Sequence, residues 1–213
     1  MVVAIDGPAG AGKSTIVDII SKKMHFKKVD TGVTYRCLAL KVIQNNITNE
    51  KDIINLSKNL NVEEKNEKIY LDGIDVTLDI RTDEVSNKAS SISNIIDVRK
   101  NLTEIQRRMA GNFNSIVEGR DTTTLVFPNA DIKIYLDALL EVRAKRRFNQ
   151  NERLNIEIPY QEVYNNMEAR DYNDFHKEYG ALMKTNDQIY IDTTYMTLDE
   201  VVNEIVSIIK GVK

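Results

Sequence analysis

The chain has 213 residues, 42% hydrophobic and 29% charged, with a net charge of −3. That length predicts one ordinary α/β domain with small insertions and a core of real size. The slightly acidic balance excludes a global nucleic-acid or membrane-surface footprint, which needs a basic surplus. No apolar run approaches the roughly 18–20 residues of a membrane span, and no charged-then-apolar leader opens the sequence, so neither nucleic acid nor membrane is expected as a partner. The single cysteine, Cys37, cannot close an internal disulfide. It reads as a small buried hydrophobe in a protein of the reducing cytoplasm.

Val2-Val3-Ala4-Ile5-Asp6 is a short continuous apolar run, as expected of a strand buried on both faces. Gly7-Pro8-Ala9-Gly10-Ala11-Gly12-Lys13-Ser14-Thr15 follows, and from Lys13 to Met24 isoleucines recur at helical spacing. Strand, glycine loop and helix form the context of a GxxxxGK[ST] phosphate loop. Its backbone N–H groups wrap the β- and γ-phosphates of a nucleoside triphosphate, Lys13 adds a point charge, and the Ser14 hydroxyl is a Mg²⁺ ligand.

Lys28 to Asp30 reads as a second strand and Thr31 to Gln44 as a helix. From about residue 45 to 94 the pattern changes to strands at Val62–Lys65 and Lys68–Asp72 around an Asn66-Glu67 turn, with a third near Val76, which predicts an inserted hairpin-rich region. Val98–Ala110 is helical, with Gly111 as its stop. Ser115–Glu118 and Asp131–Asp137 are strands, and Leu140–Gln150 and Tyr160–Asp171 are helices. Gln188–Asp192 is a last strand and Leu198–Ile209 a last helix. The fold class is therefore α/β, a doubly wound parallel sheet of the P-loop type with ligands at the strand C-termini.

GTPase and ABC readings fail, because the chain has no DxxG, NKxD or LSGGQ. With 18 Lys against 11 Arg, an arginine is more informative than a lysine, since only its planar fork grips phosphate bidentately. Of Arg36, Arg99, Arg120, Arg143, Arg146, Arg147 and Arg170, several follow strand ends or sit on helices leaving them. Arg143, Arg146 and Arg147 share one helical face by spacing. That face either is solvated and paired with Glu141 or Glu152, or belongs to a lid that includes the stretch from Asn149 to Pro159. His25 and His176 are the only histidines, and neither has a carboxylate or nucleophile at a telling spacing. A hydroxyl acceptor wants a general base. A phosphate monoester, with a second pKa of about 6, is already largely dianionic and wants charge neutralisation instead. Few bases and many arginines favour phosphate as the nucleophile.

Taken together, Gly7 to Thr15, Asp30-Thr-Gly-Val-Thr-Tyr-Arg36, Ile80 to Val85, Gly119-Arg-Asp121 with Val126-Phe-Pro128, and Arg170-Asp-Tyr-Asn-Asp174 closely resemble the bacterial-type cytidylate (CMP/dCMP) kinases along the whole chain. The resemblance implies a monomeric enzyme of pyrimidine nucleotide metabolism that moves the γ-phosphoryl group of ATP, with Mg²⁺, to CMP or dCMP. It implies a single kinase domain with its core at 1–44, 95–145 and 160–213, a nucleoside-monophosphate-binding insert at about 45–94, and a lid at about 146–159. Ser90 and Asp121 match acceptors for the cytosine N4 amino group, and Arg99 matches a donor to N3 and O2. Arg36 and Arg120 match the grip on the acceptor phosphate. Arg170 and Asp174 match the hold on the sugar, with Thr31 and Tyr35 in the same substrate-binding set. Lys13, Arg120, Asp121, Arg143 and Arg147 are the catalytic candidates, and Arg146 joins the loop in holding ATP.

Three positions depart from the family pattern. Lys177, counted here with the substrate-binding residues, stands in for an arginine and cannot bind bidentately. Thr123 replaces a glycine, and Ala181 replaces a proline. Another small-molecule P-loop kinase and a nucleotide-binding regulator without turnover remain as alternatives at this point.

Overall fold

The computed structural model describes residues 1–65, 67–153 and 155–212. In chain order it holds β1 (Val2–Asp6), α1 (Lys13–Met24), β2 (Lys27–Asp30), α2 (Thr31–Gln44), α3 (Glu50–Lys58), β3 (Val62–Lys65), β4 (Lys68–Leu71) and β5 (Ile74–Asp75). Then come α4 (Asp83–Ile92), α5 (Ile96–Ala110), β6 (Ser115–Gly119), β7 (Ile132–Asp137), α6 (Leu140–Arg153), α7 (Tyr160–Phe175), β8 (Ile189–Asp192) and α8 (Leu198–Gly211). The chain divides into two compact units, Met1–Lys28 with Asn114–Lys213, and Val29–Phe113.

A five-stranded sheet has the order β2-β6-β1-β7-β8, and β1, β6, β7 and β8 lie wholly in the first unit. β1 runs parallel to β6 and β7, and β7 runs parallel to β8, so the expected parallel sheet is borne out. Val3, Ile5, Ile116, Ile134 and Leu136 are fully buried in it, each contributing roughly 1.5–3 kcal/mol, which is why these strands are continuously apolar and not alternating. α8 brings Val201, Val202, Ile205, Val206 and Ile209 to the same core and is started by a capping box between Thr197 and Glu200. The chain leaves β1 for strands on both sides of it, so the strand order reverses beside β1, where such sheets bind ligands.

The second unit has its own core around Leu38, Ile80, Ile92, Val98 and Leu102 and an antiparallel sheet in the order β3-β4-β5. Of the expected Asn66-Glu67 turn, Asn66 lies outside the described residues; Glu67 has φ 62°. The third strand, expected near Val76, is Ile74–Asp75. Asp72 and Gly73 both take positive φ, and a two-residue turn of that hand ends the pairing at Leu71↔Ile74. Two helices in this region, α3 and α4, were not expected from the pattern. Each is short and rests on a cap: Asn49 accepts from Asp52 N, and Thr82 accepts from Val85 N. Cys37 is fully buried, and burial, followed by Asp30 and Asp72, pushes its thiol up to about 12, as expected of a packed hydrophobe.

Candidate functional site

The loop between β1 and α1 is shaped by its glycines. Gly7 has φ 154°, and a Cβ there would stand 2.0 Å from Leu136 O. Gly10, at φ 76°, would put one 2.6 Å from Met167 Cε. α1 then begins at Lys13 with no side-chain cap and no acidic residue in its first turn, unlike α3, α4 and α8. Its first N–H groups and positive dipole end are thus left to an anion. Lys13 Nζ donates to Gly7 O at 2.6 Å and to Pro8 O at 2.8 Å. Burial first, then the neighbouring Arg120 charge, lowers the Lys13 pKa to about 7, against the pull of Glu118, Asp6 and Asp174.

Ser14 Oγ donates to Glu118 Oε2 at 2.9 Å. Glu118 is buried at the C-terminal end of β6, beside β1, and sequence reasoning did not single it out. The signal was a buried apolar strand ending in an acid immediately before Gly119. A hydroxyl and a carboxylate are hard oxygen donors, the set Mg²⁺ accepts while keeping waters and taking phosphate oxygens. Among the described residues no group of three or more His, Cys, Asp or Glu could hold a metal, so a cation here would depend on such a shared arrangement. Ser14 and Glu118 fit it.

On the corner after β6, Arg120 Nε donates to Asp174 Oδ2 at 2.7 Å, and Asp121 is buried. α7 extends past the expected Asp171 to Phe175, which places Arg170 and Asp174 one helical turn apart. Lys177 Nζ donates to Asp174 Oδ1 at 2.9 Å, so Asp174 holds one cation on each oxygen. Burial, the largest single effect, pushes the Asp174 carboxyl up, but Arg120, then Lys177, outweighs it and keeps the pKa well below the usual carboxylate range. Both histidines are exposed.

The three arginines of α6 share a face by spacing, yet they meet three environments. Arg143 is buried, donating to Ala138 O at 2.8 Å, to Ala9 O of the phosphate loop at 3.0 Å and to Asp171 at 2.5 Å. Arg146 is held by Thr193 Oγ1 at 3.0 Å and Thr193 O at 2.6 Å. Arg147 is exposed and donates to Gln150.

The remaining candidates lie in the second unit. Thr31 opens α2, whose N-cap Asp30 accepts from Gly32 N at 2.9 Å. Arg36 donates to Ile80 O at 2.9 Å and Ser86 Oγ at 2.8 Å. Arg99 is 3% exposed, donates to Ser93 O at 2.9 Å and lies 5.4 Å over the Tyr35 ring. Ser90, half-buried on α4, accepts at its backbone oxygen from Ser93 Oγ. Arg99, Tyr35 and the Ser90–Ser93 turn are thereby linked.

Comparison with known proteins agrees with this chemistry. A cytidylate kinase from Fusobacterium nucleatum is 42% identical over 215 residues, covering 100% of this chain and 99% of that protein. A cytidylate kinase from Alkaliphilus oremlandii is 42% identical over 99% of this chain and 98% of that protein; one from Clostridioides difficile is 40% identical over 97% of each. Among solved structures, an uncharacterized protein from Eubacterium ventriosum shares the fold, at TM-score 0.55 and 11% identity over 99% of this chain and 98% of that one. The family model described as cytidylate kinase matches residues 3–211, and with the phosphate loop, the Gly119–Asp121 corner and the α7 acids all inside that match, this chain belongs to the cytidylate kinase family.

Proposed function

We propose that the protein transfers the γ-phosphoryl group of ATP to CMP or dCMP, giving ADP and CDP or dCDP. The observation that carries this reading is the uncapped, acid-free start of α1 holding Lys13 and Ser14 beside Glu118, in a chain whose relatives are named cytidylate kinases along their whole length. Gly7 to Thr15 cradle the triphosphate, and Lys13 supplies charge to it. Ser14 and Glu118 hold Mg²⁺, which when bound neutralises phosphate charge.

Arg36 and Arg120 take the acceptor phosphate, with Lys177 contributing a single-point contact. Ser90 and Asp121 accept from the cytosine amino group and Arg99 donates to N3 and O2. Arg170 and Asp174 hold the sugar, and Thr31 and Tyr35 complete the acceptor's surroundings. An acceptor phosphate oxygen attacks the γ-phosphorus in line as the bond to the β–γ bridging oxygen breaks. No side chain need remove a proton, because the acceptor is already largely dianionic. Arg143, Arg146 and Arg147 spread the transferring charge, with 146–159 acting as a lid and 45–94 as the acceptor-binding region. The lone cysteine, fully buried, suits the reducing cytoplasm.

A coupled ADP-release assay across acceptors tests the reading. CMP and dCMP are expected far ahead of UMP, AMP and alcohols such as shikimate. Equal rates with UMP or AMP, or tight CMP and ATP binding with no CDP formed over hours, would overturn it.

A further inference from the structure

Asp6 is the last residue of β1 and is fully buried. Its carboxylate accepts three hydrogen bonds: from Thr122 N at 2.8 Å, from Thr123 N at 2.8 Å and from Thr123 Oγ1 at 2.6 Å. Thr122 and Thr123 open a π turn over Thr122–Val126 that directly follows Arg120 and Asp121. Two of the three donors are backbone N–H groups, so the carboxylate fixes the path of the chain and not just a side chain. An apolar replacement would orphan both amides.

The network continues outward. Thr123 Oγ1, having donated to Asp6, accepts from Gln188 Nε2 at 2.5 Å, and Gln188 Oε1 accepts from Thr185 N at 2.7 Å. The segment holding Gln188 is itself tied to α7, because Leu182 N donates to Asp174 O at 2.7 Å. One carboxylate, one residue before Gly7 of the phosphate loop, thus gathers the start of that loop, the corner carrying Arg120 and Asp121, and the segment after the helix carrying Asp174.

We propose that Asp6, extended by Thr123 and Gln188, is the positioning group for the acceptor side of the reaction: it sets where Arg120 and Asp121 stand relative to Lys13. The proposal rests on the acceptor role given to Arg120 and Asp121 above. It makes Thr123 a contributor that the phosphate-loop motif does not include, since its hydroxyl is the link between Asp6 and Gln188.

The decisive variant is Thr123→Val, which removes the hydroxyl and keeps the shape. Its KM for CMP is expected to rise about 5–10-fold as the hydroxyl's bonds to Asp6 and Gln188 are lost together, with the KM for ATP unchanged within about twofold and Thr123→Ser restoring wild-type values. Asp6→Asn, which keeps one acceptor oxygen and turns an NH₂ toward a donor, is expected to cost about 100-fold in kcat/KM for CMP, again with ATP affinity retained. Amide exchange in a peptide spanning residues 119–126 should quicken in both variants. If Thr123→Val does not fold, Gln188→Leu, at the half-buried outer end, is expected to give the same KM split on a smaller scale. Equal shifts for CMP and ATP, or a lower melting temperature with unchanged kinetic constants, would overturn the proposal. A wild-type protein that ignores CMP would overturn the acceptor assignment instead, and the exchange measurement would still decide whether Asp6 holds the corner.

Discussion

Ser14 Oγ and Glu118 Oε2, 2.9 Å apart, join the first turn of α1 to the end of β6. Glu118→Gln keeps the hydrogen bond's shape but replaces an anionic oxygen that Mg²⁺ would use directly or through water. The Mg²⁺ concentration for half-maximal turnover is expected to rise about 10–100-fold, read from a titration at fixed ATP. Wild-type turnover should vanish in excess EDTA and return with Mg²⁺. An unchanged Mg²⁺ requirement in the variant would remove Glu118 from the metal's surroundings.

Arg99 is buried and donates to Ser93 O, with its guanidinium over the Tyr35 ring. A charged donor of this kind is worth about 1.5–3 kcal/mol, so Arg99→Ala is expected to lower kcat/KM for CMP by about 10–100-fold. ATP affinity should stay nearly unchanged, because Arg99 belongs to the unit without the phosphate loop. Titrating each nucleotide separately against the variant checks this. Equal losses for both would mean that the base is read elsewhere.

Much of this architecture was legible in the residues. Val2–Asp6 declared a two-face-buried strand by its unbroken apolar run, and Gly7–Ser14 declared the loop by a spacing that only a phosphate-binding turn requires. What stayed hidden depended on local caps or on partners far along the chain. α3 and α4 are short and hang on Asn49 and Thr82, single residues that periodicity does not weigh. Glu118 and Asp6 look like ordinary strand-ending acids until the sheet register sets β1 against β6. The spacing of Arg143, Arg146 and Arg147 gave them a common face, but not the fact that Arg143 turns inward to Ala9 O. That depends on α6 lying over the loop, a contact made 134 residues apart.

Asp174 holds Arg120 and Lys177 on its two oxygens. Asp174→Asn would leave those two cations facing each other with their shared anion gone. The expected loss at neutral pH is about 2–3 kcal/mol, somewhat less than for a fully enclosed pair, because Arg120 keeps 20% of its side chain exposed. The sign of the pH dependence follows from the depressed carboxyl. Above its ordinary value of 3.8 Asp174 is ionised both folded and unfolded, and its stabilisation is present in full. Below that value the unfolded chain takes up the proton first, so stability drains away as pH falls toward the folded-state value. Denaturant unfolding of wild type and variant, from neutral pH down past 3.8, should show their stability difference narrowing with acid. A gap independent of pH would mean that the two cations are held by something else.

Gly7 and Gly73 both have positive φ, 154° and 83°, yet alanine should act very differently at the two. At Gly73 a Cβ would meet nothing within 4 Å, so only the left-handed backbone is penalised, at about 1–2 kcal/mol, and the turnover of folded protein should not change. At Gly7 the Cβ would stand 2.0 Å from Leu136 O, and that oxygen belongs to the backbone of β7, next to β1 in the sheet. Neither strand can retreat without breaking the parallel register between Ile5 and Ile134. Gly7→Ala is therefore expected to lower the melting temperature by roughly 10 °C, equivalent to about 3–4 kcal/mol at this chain length. Whatever protein folds should bind ATP poorly, because relieving the clash moves the first amide of the phosphate loop. Calorimetric melting and ATP titration of the two variants side by side check both halves. A Gly7→Ala protein as stable and as tight for ATP as the Gly73→Ala protein would show that the loop tolerates a side chain where the geometry leaves it no room.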